Sequence, residues 1–196
     1  MKVNTADRVI DLLSASGALM SGHFRLSSGL HSDEYCQCAK VAEHPEISEE
    51  LGRMLADLFR DDRVDVVVSP AIGGIVIGYE VARALGVRAI WAERVDGVMT
   101  LKRGFAVAPG ERVLVIEDVV TTGGSVREVA GAVKGAGAEI VGFGFIMDRS
   151  RQPLDLPGPT KALLEGREMK TYDPTDCPLC EEGVPVVKPG SRPSPS

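Results

Sequence analysis

The sequence has little of what a membrane protein or a nucleic-acid-coating protein needs. No run of apolar residues approaches the roughly 20 that a bilayer-spanning helix requires. Asp7, Arg8 and Asp11 interrupt the basic-then-apolar order of a secretion signal. The net charge of −6 argues against a nucleic-acid coat, although local basic groups and backbone N–H donors can still bind an anion. We therefore expect a cytoplasmic protein, with no nucleic-acid or membrane partner and with four reduced cysteines.

Two familiar phosphate-binding loops are also missing. The chain contains no Gly-x-x-x-x-Gly-Lys-Ser/Thr, which excludes a Walker A loop. It contains no Gly-x-Gly-x-x-Gly between a strand and a helix, which disfavours a dinucleotide-binding fold. An anionic ligand would therefore need a different loop.

The pattern that is present is typical of one α/β domain. The chain has 196 residues, of which 44% are apolar and 26% charged, enough for a sizeable core. Short β-branched runs alternate with helical periodicity, which predicts a central, mainly parallel sheet flanked by helices. We expect a single domain over residues 1–187 and a flexible tail over 188–196, which is rich in Pro and Ser. The predicted helices are 5–19, 45–60, 75–85 and 125–135, and the predicted strands are 24–26, 34–38, 64–69, 87–91, 113–116 and 140–147.

Residues 113–138 carry the strongest functional signal. An apolar strand ends in two acids, and two hydroxyls, two glycines and a third hydroxyl then lead into a helix. Glycines let successive backbone N–H groups point at one anion, and the helix adds its positive end. The acids would repel a phosphate but would accept hydrogen bonds from vicinal ribose hydroxyls or help to hold Mg²⁺. The pattern predicts a phosphorylated ribose at the carboxyl end of this strand.

A second feature is the long connection over residues 94–110. It has no apolar period, carries Arg94, Lys102 and Arg103, and ends in Pro109-Gly110. Connections of this length in a compact α/β domain are usually active-site lids or hairpin arms. We expect a mobile arm here.

Residues 115–125 resemble the phosphoribosyl pyrophosphate (PRPP) motif of the type I phosphoribosyltransferases. That motif is an apolar strand, two acids, two apolar residues, Thr, any residue, Gly, any residue and Ser/Thr. The resemblance implies the fold of that family, with a small hood built from residues 18–45 and a C-terminal segment. It also implies a PRPP-binding loop made of Glu117, Asp118, Val119, Val120, Thr121, Thr122, Gly123, Gly124 and Ser125.

Further stretches resemble the orotate-using members of the family. Residues 24–35 resemble their hood, 93–104 their mobile loop, and 147–149 the strand end from which an arginine reaches orotate. The resemblance implies orotate contacts from Thr121 and Arg149, and cations for the departing pyrophosphate from Arg94, Lys102 and Arg103. It implies a pyrophosphate loop made of Ala71, Ile72, Gly73 and Gly74.

The implied reaction joins orotate to PRPP, giving orotidine 5′-monophosphate and pyrophosphate in pyrimidine biosynthesis. Mg²⁺ would enter with PRPP rather than through direct protein ligands, and a homodimer is implied because the arm usually serves the neighbouring subunit. Two alternatives stay open: a purine or xanthine phosphoribosyltransferase, and a PRPP-sensing regulator with the same fold. The net charge and the lack of a helix-turn-helix signal disfavour a DNA-binding regulator.

Two positions depart from the family pattern. Many orotate enzymes carry a lysine in the pyrophosphate loop, where Ile72 and Gly73 stand, and another before the hood Ser-Gly, where Ser27 stands. Arg25 and His31 lie near enough in sequence to compensate. Otherwise His31 is interpreted as a surface or turn histidine.

The cysteines allow a zinc site as a second interpretation. Cys36-x-Cys38 and Cys177-x-x-Cys180 together have the composition of a four-thiolate centre. Cys36 and Cys38 instead read as core residues, because they lie on a predicted strand and face the same side.

Overall fold

The protein is built around a six-stranded sheet, seen in a computed structural model that describes residues 5–26, 28–150, 152–166 and 169–189. The strand order is β5-β4-β3-β6-β7-β8. All neighbours pair in parallel except β4 and β5, which form an antiparallel hairpin. The strands are β3 (Val66–Pro70), β4 (Arg88–Val95), β5 (Val98–Leu101), β6 (Arg112–Val120), β7 (Glu139–Asp148) and β8 (Thr160–Leu164).

Helices cover both faces of this sheet. The helices are α1 (Thr5–Ala15), α2 (Pro45–Asp57), α3 (Gly74–Leu85), α4 (Gly124–Gly135) and the short α5 (Pro178–Glu181). Alternate residues of β6 serve the two faces: Leu114 and Ile116 join the core under α1, α2 and α3, while Val113 and Val115 join the core under α4. This two-sided burial explains the continuous apolar runs that predicted these strands. The predicted α/β fold with a mainly parallel sheet is thereby confirmed.

The hood is a separate three-stranded antiparallel sheet in the order β1-β2-β9. Its strands are β1 (Leu19–Arg25), β2 (His31–Cys36) and β9 (Thr171–Tyr172). Residues from both ends of the sequence therefore build it, as the resemblance implied. Ser27, where the hood lysine would stand, lies outside the described residues, as do 190–196 of the predicted tail.

Several boundaries differ from the predictions. Helix α1 ends at Ala15 rather than 19, and β6 continues through the acids to Val120 rather than ending at 116. Strand β8 has no counterpart in the sequence prediction. The arm begins as a tight hairpin whose turn residues, Asp96 and Gly97, both have positive φ (49° and 86°), as an Asp-Gly type I′ turn requires.

Three loops meet at the carboxyl edge of the sheet. They follow β3, β6 and β7, which are adjacent and parallel. This edge is where ligands bind in open α/β sheets. No helix within the described residues is long and apolar enough to cross a membrane.

Gly78 fixes how closely α3 approaches β3. A Cβ at Gly78 would overlap the hydroxyl oxygen of Ser69, which is buried and has no hydrogen-bond partner among the described residues. We expect Gly78→Ala to lower the free energy of unfolding by about 1–3 kcal/mol, because the Ser69 hydroxyl would have to rotate within a buried site and the Ser69 Cβ would still lie at 3.1 Å. Gly131→Ala is the matched control: it is also in a helix, but a Cβ there meets nothing within 4 Å. Urea unfolding should show that the control equals or slightly exceeds wild type in stability. Equal stability of both variants would contradict the close approach.

Candidate active site

A polar cavity of about 380 Å³ opens at the carboxyl end of β6. It is formed by the end of that strand, the following loop, the first turns of α4 and one residue of the arm. The residues that line it are Arg94, Glu117, Val119, Thr121, Thr122, Gly123, Gly124, Ser125 and Glu128. Seven of these nine belong to the loop that the sequence predicted.

The loop is shaped to present backbone donors. Gly123 has φ 72° and ψ 12°, a left-handed conformation that turns the chain directly into α4 at Gly124. The first N–H groups of a helix lack intrahelical acceptors, and here they border the cavity together with the hydroxyls of Thr122 and Ser125. A Cβ at Gly123 would also press on Leu154 at 3.2 Å. The geometry therefore suits a bound phosphate group.

Glu117 and Asp118 lie near the carboxyl end of β6, and both are half-buried. Burial, followed by the neighbouring charge of Asp118, raises the pKa of Glu117 to about 7. Burial also raises the pKa of Asp118, although the backbone N–H of Val119 donates to its Oδ1 at 2.8 Å and opposes that shift. Two adjacent acids that resist ionisation in a cleft are typical of a functional site.

The loop after β3 packs against the end of β6 and contacts Asp118. A Cβ at Gly73 would lie 3.1 Å from both carboxylate oxygens of Asp118, and one at Gly74 would lie 2.9 Å from the Ile116 carbonyl oxygen. The backbone N–H of Ala71 donates to the Ala92 carbonyl at 2.8 Å. Ile72 is 84% exposed, and the Ala71–Ile72 peptide bond is cis. The predicted pyrophosphate loop therefore lies beside the predicted PRPP loop, with backbone rather than a lysine facing it.

The three predicted cations are placed differently. Arg94 lines the cavity and forms an ion pair with Glu128 of α4, Nη1 to Oε2, at 2.8 Å. Arg103 forms an ion pair with Glu93 across the base of the hairpin. Neither Lys102 nor Arg103 is among the described residues that line the cavity. Among the described residues of the arm, Arg94 is therefore the one that lines the cavity.

Arg149 follows the end of β7. Its backbone N–H donates to the Val120 carbonyl at 2.9 Å, which fixes it beside the end of the PRPP strand. The pKa of the Cys38 thiol is raised well above its usual range, chiefly by its hydrogen bond with Cys36 and by burial. The charge of Asp118 adds to that increase and the charge of Arg149 opposes it. Arg149 thus lies beside the carboxyl end of β6, and its charge acts on Cys38, as the charge of Asp118 does.

Two interpretations made from the sequence are wrong, one of His31 and one of the four cysteines. His31 is buried on β2 rather than exposed in a turn, since its strand pairs on both sides within the hood. The four-thiolate alternative is also wrong, because Cys177 and Cys180 contact His23 and His31 instead. The interpretation of Cys36 and Cys38 as core residues is confirmed: both are buried, with their sulfurs 3.4 Å apart. Cysteine spacing alone could not show this pairing, because the histidines lie about 150 residues earlier in the chain.

Glu128 was not predicted as a site residue from the sequence. It lies one helical turn beyond Gly124 on α4 and reaches the cavity only because α4 starts where it does. An acid on a helix surface is common, and nothing in the local sequence marks this one.

Comparison with known proteins agrees with this geometry. A family model described as the phosphoribosyl transferase domain matches residues 38–165. The orotate phosphoribosyltransferase of Pelotomaculum thermopropionicum is 56% identical over 188 residues, covering 96% of this chain and 98% of that protein. The orotate phosphoribosyltransferase of Desulforamulus reducens is 52% identical, covering 95% and 97%. A crystal structure of the Mycobacterium tuberculosis orotate phosphoribosyltransferase superposes with a TM-score of 0.68 at 23% identity, covering 83% of this chain and 97% of that one, which shows the shared fold. The chain belongs to the phosphoribosyltransferase family and, within it, groups with the orotate phosphoribosyltransferases.

Proposed function

We propose that this protein transfers the phosphoribosyl group of PRPP to orotate, giving orotidine 5′-monophosphate and pyrophosphate in the synthesis of UMP. The observation that carries the proposal is the cavity at the end of β6, which combines backbone donors, one arm arginine and Glu117, an acid whose pKa is raised by burial and by the neighbouring Asp118. Two relatives that are 52–56% identical to this chain, and match it over nearly their whole length, are named orotate phosphoribosyltransferases, which supports orotate as the acceptor. They favour it over a purine or xanthine base and over a purely regulatory role.

The ribose half of the reaction falls to the PRPP loop. The N–H groups at the start of α4 and the hydroxyls of Thr122 and Ser125 hold the 5′-phosphate. Glu117 and Asp118 accept hydrogen bonds from the ribose hydroxyls, which ties C1′ in a fixed position beside Arg149. As the C1′–O bond breaks, its electron pair leaves with pyrophosphate. N1 of orotate supplies the pair for the new bond to C1′, and its proton passes to the departing pyrophosphate.

The pyrophosphate half falls to the loop after β3 and to the arm. The backbone of Ile72 and Gly73 faces the leaving group, and Arg94 neutralises part of its developing charge. We propose that Lys102 and Arg103 join it when the arm closes over the bound substrates or over the site of a second subunit. This closure would require Arg103 to leave Glu93 and Arg94 to leave Glu128.

The oxygen-rich lining of the cavity fits Mg²⁺ that arrives with PRPP. The carboxylate of Glu117 is a hard oxygen donor of the kind Mg²⁺ prefers, and an ion that keeps several waters needs few protein ligands. We propose that this carboxylate would hold the hydrated ion through water, and that the ion would supply positive charge to neutralise pyrophosphate.

The orotate half rests on Arg149 and Thr121. A guanidinium binds a carboxylate through two parallel hydrogen bonds, and orotate carries the one carboxylate that distinguishes it from the purine bases. Thr121 is exposed at the cavity and would bond to the pyrimidine edge.

We further propose a cytoplasmic homodimer. An exposed apolar row on and before α3, made of Ile72, Val76 and Tyr79, recurs at helical spacing and supports contact with a second copy. All four cysteines are described and none is in a disulfide, which is typical of a reducing compartment. Sedimentation and cell fractionation test these two points.

The substrate assignment is tested by mixing protein, PRPP, Mg²⁺ and one base at a time. We expect loss of orotate absorbance that requires both PRPP and Mg²⁺, and no turnover of adenine or xanthine. Turnover of a purine base without turnover of orotate would refute the pyrimidine assignment. Binding of PRPP without turnover of any base would favour the regulator.

The ion pair between Arg94 and Glu128 predicts a modest inhibitory effect of Glu128. Replacing Glu128 with Gln frees Arg94 and removes a negative charge from the cavity, so we expect the Kd for PRPP to fall by about 2–5-fold, as the loss of an exposed competing pair allows. Glu139→Gln removes the same charge at the opposite edge of the sheet and should leave the Kd unchanged. Titration calorimetry at low salt measures both. Weaker binding by the Glu128 variant would show that this carboxylate helps to hold the ligand instead.

A further inference from the structure

Four metal-ligating side chains converge in the hood, away from the phosphoribosyl cavity. His23 is on β1, His31 on β2, Cys177 immediately before α5 and Cys180 within it. One ligand atom from each lies within 4.8 Å of the other three. His23, His31 and Cys177 are buried, and Cys180 is exposed. We call these residues the His–Cys cluster.

The distances within the His–Cys cluster are close to those of a tetrahedral zinc centre. Zinc bonds of about 2.0–2.1 Å to nitrogen and 2.3 Å to sulfur place neighbouring nitrogen and sulfur ligands about 3.5 Å apart. His23 Nε2 lies 3.5 Å from Cys177 Sγ and 3.8 Å from Cys180 Sγ, and His31 Nδ1 lies 3.4 Å from Cys180 Sγ. The two nitrogens are 2.8 Å apart and need to separate by only about 0.5 Å to admit the ion.

The orientation of His23 is that of a metal ligand. Its Nδ1 lies 2.7 Å from the carbonyl oxygen of Val184, which can only accept, so Nδ1 carries the proton. Nε2 therefore presents a lone pair to the cluster. A backbone carbonyl that fixes the tautomer in this way is the usual outer contact of a zinc-binding histidine.

Hydrogen bonding alone explains the convergence poorly. His23 Nε2 has one lone pair, yet three groups are directed at it: His31 Nδ1 and the sulfurs of Cys177 and Cys180. A single cation satisfies all four ligand atoms at once. Two thiolates and two imidazoles in tetrahedral arrangement select zinc among the common divalent ions.

The C-terminal segment, residues 169–189, has few other contacts that attach it to the hood. Of its described residues, 169–189, Cys177 alone is buried. Its backbone contacts with the hood are the two-residue strand β9 and hydrogen bonds that link Val187 to Arg25 and His23. Segments without an apolar core of their own are commonly stabilised by a bound metal ion.

We propose that this chain binds one structural zinc ion through His23 Nε2, His31 Nδ1, Cys177 Sγ and Cys180 Sγ, and that the ion fastens the C-terminal segment to the hood. None of these residues lines the phosphoribosyl cavity. The proposal is therefore independent of the substrate assignment, and either can fail alone.

The test uses the full chain without a histidine tag, purified in reductant. Elemental analysis should find about one zinc per chain, and the double variant Cys177→Ser/Cys180→Ser and the variant His23→Gln should each retain less than about a tenth of it. Cys36→Ala/Cys38→Ala removes the same number of thiols, and His44→Gln replaces the third histidine of the chain; both should keep their zinc.

Measurements on wild type cover the case in which a variant does not fold. Chelation should expose 173–189 to limited proteolysis and make Cys177 and Cys180 reactive to N-ethylmaleimide, and added zinc should reverse both changes. Co²⁺ loaded in place of zinc should show thiolate-to-metal absorption. A protein that holds no metal before or after incubation with zinc would overturn the proposal. So would a Cys177–Cys180 disulfide in freshly isolated protein, or full zinc retention by the cysteine double variant.

Discussion

Glu117→Gln should make the ligand-free protein more stable above neutral pH while weakening PRPP binding by about 10–100-fold. The two effects have opposite signs because the fold and the ligand require different charge states of the same side chain. A residue kept only for packing would not separate stability from binding in this way.

The stability effect follows from the raised pKa of Glu117. Burial, and then the charge of Asp118, moves the folded-state pKa from 4.5 to about 7. The folded protein thus binds the proton more tightly than the unfolded chain does, so this group's contribution to stability is full below pH 4.5 and is lost as the pH rises through 7. Glutamine stays neutral, so the variant should gain up to about 3 kcal/mol over wild type at pH 8 and nothing at pH 4.5.

The binding effect follows from the need for a carboxylate. PRPP affinity should rise with pH through about 7 in wild type, as Glu117 ionises to accept the ribose hydroxyls, and this dependence should flatten in the variant. Thermal unfolding and calorimetry from pH 5 to 8 measure both effects. Glu139→Gln, an exposed acid at the far edge of the sheet, is the control and should change neither. A Glu117 variant that is less stable at pH 8, or that binds PRPP like wild type, would contradict the role of this acid.

Arg149→Ala should lower kcat/KM for orotate by about 10²–10³-fold while leaving the Kd for PRPP within about 2-fold. The large loss is expected because a bidentate contact to the only carboxylate of the acceptor disappears. PRPP binding should be spared, because the phosphate and ribose contacts that we propose lie on β6 and its following loop rather than on β7.

The control for Arg149 is Arg60→Ala, which removes an exposed arginine paired with Asp57 near the end of α2. It should leave both substrates unaffected. Steady-state kinetics with each substrate varied in turn, together with PRPP calorimetry, gives the comparison. Equal losses for orotate and PRPP in the Arg149 variant would show a general structural defect and remove its assigned role.

The fold and the PRPP loop were predictable because their determinants are local. Two-sided burial makes β3, β6 and β7 continuous apolar runs, and the two glycines of the loop mark the turn into α4. The end of β6 was less predictable, because the apolar run stops at Ile116 and the predicted strand was ended there, before the two acids. Pairing with β7 extends the strand through both acids despite the cost of burying them.

Contacts between residues far apart in the sequence could not be predicted from local sequence patterns. The approach of Arg94 to Glu128 depends on how the β4–β5 hairpin lies against α4. The His–Cys cluster joins residues near opposite ends of the chain, and only the antiparallel pairing of β1, β2 and β9 brings them together. The missing lysine of the pyrophosphate loop is a related case, since the close packing of Gly73 on Asp118 becomes visible only in three dimensions.

The central claim is tested most directly by identifying the products. Wild-type protein incubated with orotate, PRPP and Mg²⁺ should give orotidine 5′-monophosphate and pyrophosphate in equal amounts, followed by ³¹P NMR and mass spectrometry. The same mixture with Glu117→Gln should form both products much more slowly. Release of pyrophosphate without orotidine 5′-monophosphate, or unchanged orotate after prolonged incubation with folded protein, would contradict the account.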